Sequence, residues 1–270
     1  MLPAHGLLDG FPSAGELIER SRWKLGHPYF PMVPGAFSDF RVTRLGEGTR
    51  YIRVAFGRPE AFFGRTATPW VYGEIPGLVR DTTLFGLRQY FSRSPNGDLW
   101  FHGAQNNGFM SHTEPPVRQL LASPAPGQAW SDTVLFESFF PGFILFFRDN
   151  YRYEWTLSPR ARLPLPAGVF EAIRATSVLW SVEPPGPVPL AAVPSDDRDV
   201  SIWDRLGMVG RPGQVDVLKG FWFARHVGIV ARDWPSGEGV TNTNILTFEL
   251  LRQGMGPVPP PAPPIGIGPQ

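Results

Sequence analysis

Cysteine is absent from all 270 residues, which excludes disulfides, thiolate nucleophiles and Cys-ligated zinc or iron-sulfur centres together. Lysine is scarce as well. Lys24 and Lys219 stand alone among 25 basic residues, so the cationic chemistry is that of arginine, whose planar guanidinium suits the buried or interfacial pairing of an assembly subunit. Neither sign of charge dominates, with 24 acidic residues against those 25, and no whole-molecule field draws the chain to nucleic acid or to an anionic membrane. No apolar run is long enough for a transmembrane helix. Residues 1–6 show neither the basic region nor the apolar stretch of a secretory leader. The lack of thermolabile Cys alongside 31 Pro is compatible with a thermostable protein.

Helix signals are nearly missing too. The capping-box pattern Ser13-Ala14-Gly15-Glu16 predicts one short N-terminal helix, over about residues 14–23, and His27-Pro28 ends it. From Tyr29 onward, short alternating apolar runs punctuated by Gly, Pro and Asn predict an all-β domain. Ile52, Val54 and Phe56 share one face of a strand, and Asn96-Gly97 marks a hairpin turn before Leu99-Trp100-Phe101. Pro141-Gly142 splits the run 134–147 into two strands, and Leu246, Phe248 and Leu250 share a face near the C-terminus. The spacing predicts about a dozen antiparallel strands, arranged as a sandwich or a curved half-barrel.

Two proline-rich segments interrupt this pattern. Residues 183–199 cannot form a central strand, because each Pro removes a ladder donor, and they read as a long exposed connection. Residues 256–270 favour an extended polyproline II arm. The predicted organisation is therefore an arm with a short helix over residues 1–28, a β domain over 29–255 and a C-terminal arm over 256–270. Pro-Gly turns at Pro34-Gly35 and Pro126-Gly127 echo one another, each ahead of a strand whose first aromatic is expected to point inward.

Three blocks carry a resemblance. Tyr29-Phe30-Pro31-Met32-Val33-Pro34-Gly35, Pro126-Gly127-Gln128-Ala129-Trp130 and Phe221-Trp222-Phe223-Ala224-Arg225-His226-Val227-Gly228-Ile229-Val230 resemble, in that order, the opening, internal and closing motifs of a loose group of uncharacterised bacterial cell-envelope β-sheet proteins. The group's members usually stand behind a lipoprotein or secretory leader. Departures are that Phe37 or Phe40 stands where the opening motif has Trp, and His226 where the closing motif has Gly. The resemblance implies a curved sheet that binds or packs, and it transfers no catalytic residue.

Candidate chemistry is thin. His102 and His112 fall on neighbouring predicted strands near Asp98 and Glu114, so His102, His112 and Glu114 form a candidate metal site, although no HExxH-type spacing accompanies them. His226 beside Asp233 is a similar pairing. The acidic run Asp196, Asp197, Asp199 and Asp204 offers oxygen ligands for calcium but lacks the EF-hand arrangement. Glu74, Glu114, Glu137 and Glu154 are the carboxylates that a glycoside hydrolase would need to bring together. No nucleophile elbow or phosphate loop occurs. Aromatics beside turns, Phe62, Phe63, Trp70, Trp203 and Trp234, are candidate interface anchors.

The composite expectation is a cofactor-free, non-enzymatic subunit of a larger assembly, of virion or extracytoplasmic surface type, contacting other protein subunits. Pro257, Pro259, Pro260, Pro261, Pro263 and Pro264 of the arm, with Trp203 and Trp234, are the expected contact residues. Two alternatives stand beside it: an envelope protein holding an apolar ligand in its curved sheet, and a hydrolase with a carboxylate site.

Overall fold

Period-two alternation gives each strand one apolar face, and the computed structural model shows how the chain buries all of those faces against one another. Residues 26–44, 48–80, 84–106, 108–141, 143–182, 219–234 and 246–262 are described. They form β1 (Ala36–Arg44), β2 (Gly48–Phe56), β3 (Glu60–Phe62), β4 (Arg65–Gly73), β5 (Arg88–Arg93), β6 (Leu99–Asn106) and β7 (Phe109–Leu120). There follow β8 (Ala129–Phe140), β9 (Ile144–Leu157), β10 (Ala161–Leu165), β11 (Gly168–Ser181), β12 (Lys219–Ala224), β13 (Gly228–Trp234) and β14 (Leu246–Met255). Every pairing between these strands is antiparallel.

The sheet closes on itself. Twelve strands run in the order β11-β12-β13-β14-β1-β2-β4-β5-β6-β7-β8-β9, and β9 returns to β11 through the register Tyr151↔Ser181 to Leu157↔Ala175. This corrects the expectation of a sandwich or half-barrel, and the gain is physical: closure removes both sheet edges. The predicted helix at 14–23 and the 183–199 connection lie outside the described residues.

A barrel of this many strands is wider than one layer of ordinary side chains fills. Large aromatics supply the volume. Trp70, Phe91, Tyr153, Trp155 and Phe223 are buried inside it, and the segment leading into β1 adds Phe30, 1% exposed, whose ring lies 4.8 to 5.4 Å from those of Phe91, Phe56 and Trp70. Trp70 is thus core rather than an interface anchor, and Phe62 is buried as well.

The seam between β7 and β8 shows why Trp130 matters. Backbone pairing there covers only Met110–Glu114 against Phe139–Leu135, and the next two residues of β7, Pro115 and Pro116, have no N–H to give. Side chains of β8 close the rest. The Trp130 indole donates to the Arg118 carbonyl at 2.8 Å, while the Arg118 N–H donates to the Asp132 carboxylate at 3.0 Å. Trp130 shares its face with Trp155, as the Pro-Gly echo predicts. Phe37 does not. It lies under the guanidinium groups of Arg53 and Arg252 on the outer face.

His226 occupies the β12–β13 turn at φ 66, left-handed backbone that favours glycine. His226→Gly is expected to stabilise the fold by about 0.5–1 kcal/mol, as the relieved Cβ strain outweighs added chain entropy. Urea denaturation of the two proteins measures it; equal or lower stability of the variant would show that the turn is unstrained.

Candidate functional site

The three sequence blocks meet at one end of the barrel. His27 anchors the entering segment there: its Nε2–H donates to the Leu121 carbonyl at 2.8 Å, while its Nδ1 accepts the Tyr29 N–H at 3.1 Å, so the ring is neutral with the proton on Nε2. Burial also depresses the His27 pKa. The His226 N–H donates to the Pro28 carbonyl at 2.7 Å, which pins the β12–β13 turn to the same segment. Trp130 stacks on Trp155 at 5.8 Å, and Trp155 lies 6.1 Å from Phe221. The blocks are therefore the sealed end of a barrel. The β12–β13 register sets Asp233 opposite Gly220, at the end of β13 away from the His226 turn, so the two positions are not neighbours.

Inside, a polar path crosses the apolar core. Tyr72 donates to Gln89 Oε1 at 2.9 Å and lies 3.4 Å from a guanidinium nitrogen of Arg232, which sits between the rings of Phe221 and Phe248. Burial drives the Tyr72 pKa up and the Arg232 pKa down. Gln89, Gln119, Ser177, Trp155 and Arg232 line a cavity of about 40 Å³. Sequence reading missed this set, since Gln89 and Arg232 sit in otherwise apolar alternation with no motif around them.

On the outer wall, the β3–β4 hairpin folds over β5, β6 and β7. Phe62 stacks on Tyr90 at 3.9 Å and Phe63 on His112 at 4.0 Å. The metal candidates separate beneath it. His102 Nε2 pairs with Ser92 Oγ at 2.7 Å, His112 Nε2 with Glu137 at 2.9 Å, and Glu114 takes the Arg65 guanidinium at 2.6 Å. Among the described residues, no group of three His, Asp or Glu side chains is placed to hold a metal. Burial pushes the His102 pKa down to about 4, helped by the Arg65 charge and opposed by Glu114. Ser92 escaped the sequence reading because β6 bulges at His102, between the pairs Phe91↔Phe101 and Tyr90↔Gly103.

The four acidic candidates stay apart in function. Glu74 pairs with Arg80, Glu114 with Arg65, Glu137 with His112 and Arg148, and Glu154 with Arg152 and the Trp180 indole. The acidic run 196–204 and Trp203 lie outside the described residues, as do Pro263 and Pro264. Of Trp234 only the backbone is described, paired with Leu246.

The start of the proline arm rests on its own barrel. The Gly256 N–H donates to the Gly35 carbonyl, Arg88 donates to the Pro260 carbonyl at 2.8 Å, and the Ala262 N–H donates to Glu60 at 3.3 Å. Pro259, Pro260 and Pro261 wall a groove of about 430 Å³ against Gly57, Pro59 and Pro69. Arm residues expected to reach a neighbour thus have partners within the chain.

The opposite barrel end carries the β8–β9 hairpin. Phe143 and Ile144 at its turn are 46% and 53% exposed. Behind them stand two aromatic clusters: Phe63, Phe139 and Phe143 on one side, and Phe109, Phe140 and Phe146 on the other. No charged residue occurs from position 138 to 147.

No protein-family model matches the sequence, and no curated protein matches it. Among solved structures, a protein assigned as exported, with a YmcC-like fold, from Bacteroides fragilis is similar at 10% identity and a TM-score of 0.45, over 84% of this chain and 99% of that one. A protein assigned as a lipoprotein from Parabacteroides distasonis is similar at 10% identity and 0.37, over 85% and 99%. The hypothetical lipoprotein YmcC of Escherichia coli is similar at 10% identity and 0.39, over 82% and 88%. Likenesses this distant decide neither the fold nor the role of the chain.

Proposed function

We propose that this protein is a non-enzymatic docking subunit of the bacterial cell envelope, a filled β-barrel that presents the β8–β9 hairpin as its contact element. The observation that carries the reading is the apolar turn: Phe143 and Ile144 are about half exposed in the middle of a run with no charge, and exposed apolar clusters on a folded domain mark interaction sites. The envelope location rests on the resemblance of the blocks at Tyr29, Pro126 and Phe221 to envelope proteins.

The interior argues against the apolar-ligand alternative. Its cavity of about 40 Å³ holds a water or two, whereas ligand sites measure about 300–1,000 Å³. The hydrolase alternative finds no converging carboxylates, since Glu74, Glu114, Glu137 and Glu154 each pair with cations of their own, while His102, at 6% exposure, bonds Ser92 and has its pKa near 4. Such a ring is a weak base at neutral pH.

Envelope fractionation tests the reading. Full-length protein mixed with pelleted bacterial envelopes is expected to sediment with them, and the Phe143→Asp/Ile144→Asp variant to stay at least tenfold more in the supernatant. Equal sedimentation of the two would remove the hairpin from the contact.

A further inference from the structure

We infer that the partner of the β8–β9 hairpin is the lipid surface itself, with the turn immersed in the outer part of a bilayer leaflet. The inference rests on the docking reading above and names what is docked. Its first support is that the tip is apolar on all sides. A protein groove matches one face of a hairpin, but here Phe139 and Phe143 lie on one side, Phe140 and Phe146 on the other, and Phe143 and Ile144 project from the end. An apolar solvent surrounds such a tip; a groove does not.

Backbone chemistry agrees. Polar main-chain groups enter hydrocarbon only when they are paired, and immediately behind the turn Phe140 pairs with Ile144 and Phe139 with Leu145. The depth is set by charge. Glu137 lies three residues before Phe140 and Arg148 four after Ile144, which at a strand rise of about 3.3 Å per residue places their ion pair roughly 10 Å behind the turn. Interfacial elements bury their apolar face about 5–10 Å below the headgroups. Arg148, 55% exposed, therefore stands at phosphate level when the turn is immersed.

With formal net charge +1 on the whole chain, attraction comes from apolar burial rather than from a field. Binding is thus expected on zwitterionic vesicles and to change less than twofold between low and moderate salt.

The cysteine-free sequence permits a direct test. Ile144→Cys in the full chain, labelled with an environment-sensitive fluorophore, is expected to shift its emission to the blue when phosphatidylcholine vesicles are added. The same label at Ala125→Cys, an exposed position on the opposite barrel end, is expected not to shift. In vesicle co-sedimentation, Phe143→Asp/Ile144→Asp is expected to lower the bound fraction at least tenfold, with circular dichroism and melting unchanged. No blue shift at position 144, no vesicle binding by the native sequence, or equal binding by the variant overturns the lipid assignment. Tip-dependent sedimentation with envelopes but not with pure vesicles also overturns it, in favour of a protein partner, while leaving the docking reading standing. Loss of tip dependence in both assays sinks both.

Discussion

Asp39→Ala is expected to destabilise the barrel by about 2–3 kcal/mol, because it removes charge-assisted bonds from two arginines that are themselves a quarter to a third exposed. The Asp39 side chain is 3% exposed. It accepts from Arg53 at 2.7 and 2.9 Å and from Arg252 at 3.1 and 2.7 Å, so one carboxylate on β1 binds guanidinium groups from both neighbouring strands, β2 and β14. Those strands lie about 200 residues apart in sequence, and they join the N-terminal and C-terminal portions of the barrel. Without Asp39, two cations that share the Phe37 ring face each other with no anion between them.

The site also sits at a weak point in the ladder. The β1–β14 register slips between Asp39 and Phe40, so backbone bonding there is irregular and the side-chain cluster substitutes for it. Asp39→Asn keeps acceptor geometry but gives up the charge, and its loss should be intermediate. Urea denaturation at pH 7 reads both; a loss under about 1 kcal/mol for Asp39→Ala would show the cluster to be no better than a surface ion pair.

How far such features could be read from the sequence differs from residue to residue. Ile52, Val54 and Phe56 announce their strand by alternation and are buried, because a two-residue period is a local property. Asn96-Gly97 and Pro141 likewise fall in the connections of the β5–β6 and β8–β9 hairpins. Closure is different. It depends on the pairing of β9 with β11 after the β10 detour, and nothing local distinguishes strands that meet around a barrel from strands at the two edges of a half-barrel. The Asp39 cluster was illegible for the same reason, since its partners come from residues 53 and 252.

Site residues follow the same division. His102 and His112 are rightly placed on adjacent strands, yet the bulge at His102 hands it to Ser92, while the β7–β8 register hands His112 to Glu137. Bulges and registers are tertiary decisions. The apolar run at the β8–β9 turn was fully visible in the sequence, but a run of aromatics in a β protein reads as core until the structure shows Phe143 and Ile144 left outside.

The second large effect is pH dependence, and it belongs to His102. Its pKa in the fold is about 4, against 6.5 when exposed to water, chiefly because the ring is desolvated under the β3–β4 hairpin. A base whose folded pKa is depressed binds its proton more readily in the unfolded chain, so lowering pH favours unfolding. The contribution is present in full above pH 6.5 and is lost as pH falls from 6.5 to 4, reaching about 3 kcal/mol at one kcal-scale step of ~1.36 per pH unit. His27 adds to the same slope, because a proton on Nδ1 would displace the Tyr29 N–H, and its pKa is also depressed by burial. His102→Gln keeps an acceptor for Ser92 and removes the titration. Denaturation midpoints at half-unit steps from pH 7.5 to 4 should fall less steeply in the variant than in the native protein, by about one proton's worth of slope. Parallel curves would mean that His102 titrates normally and that the hairpin does not seal it.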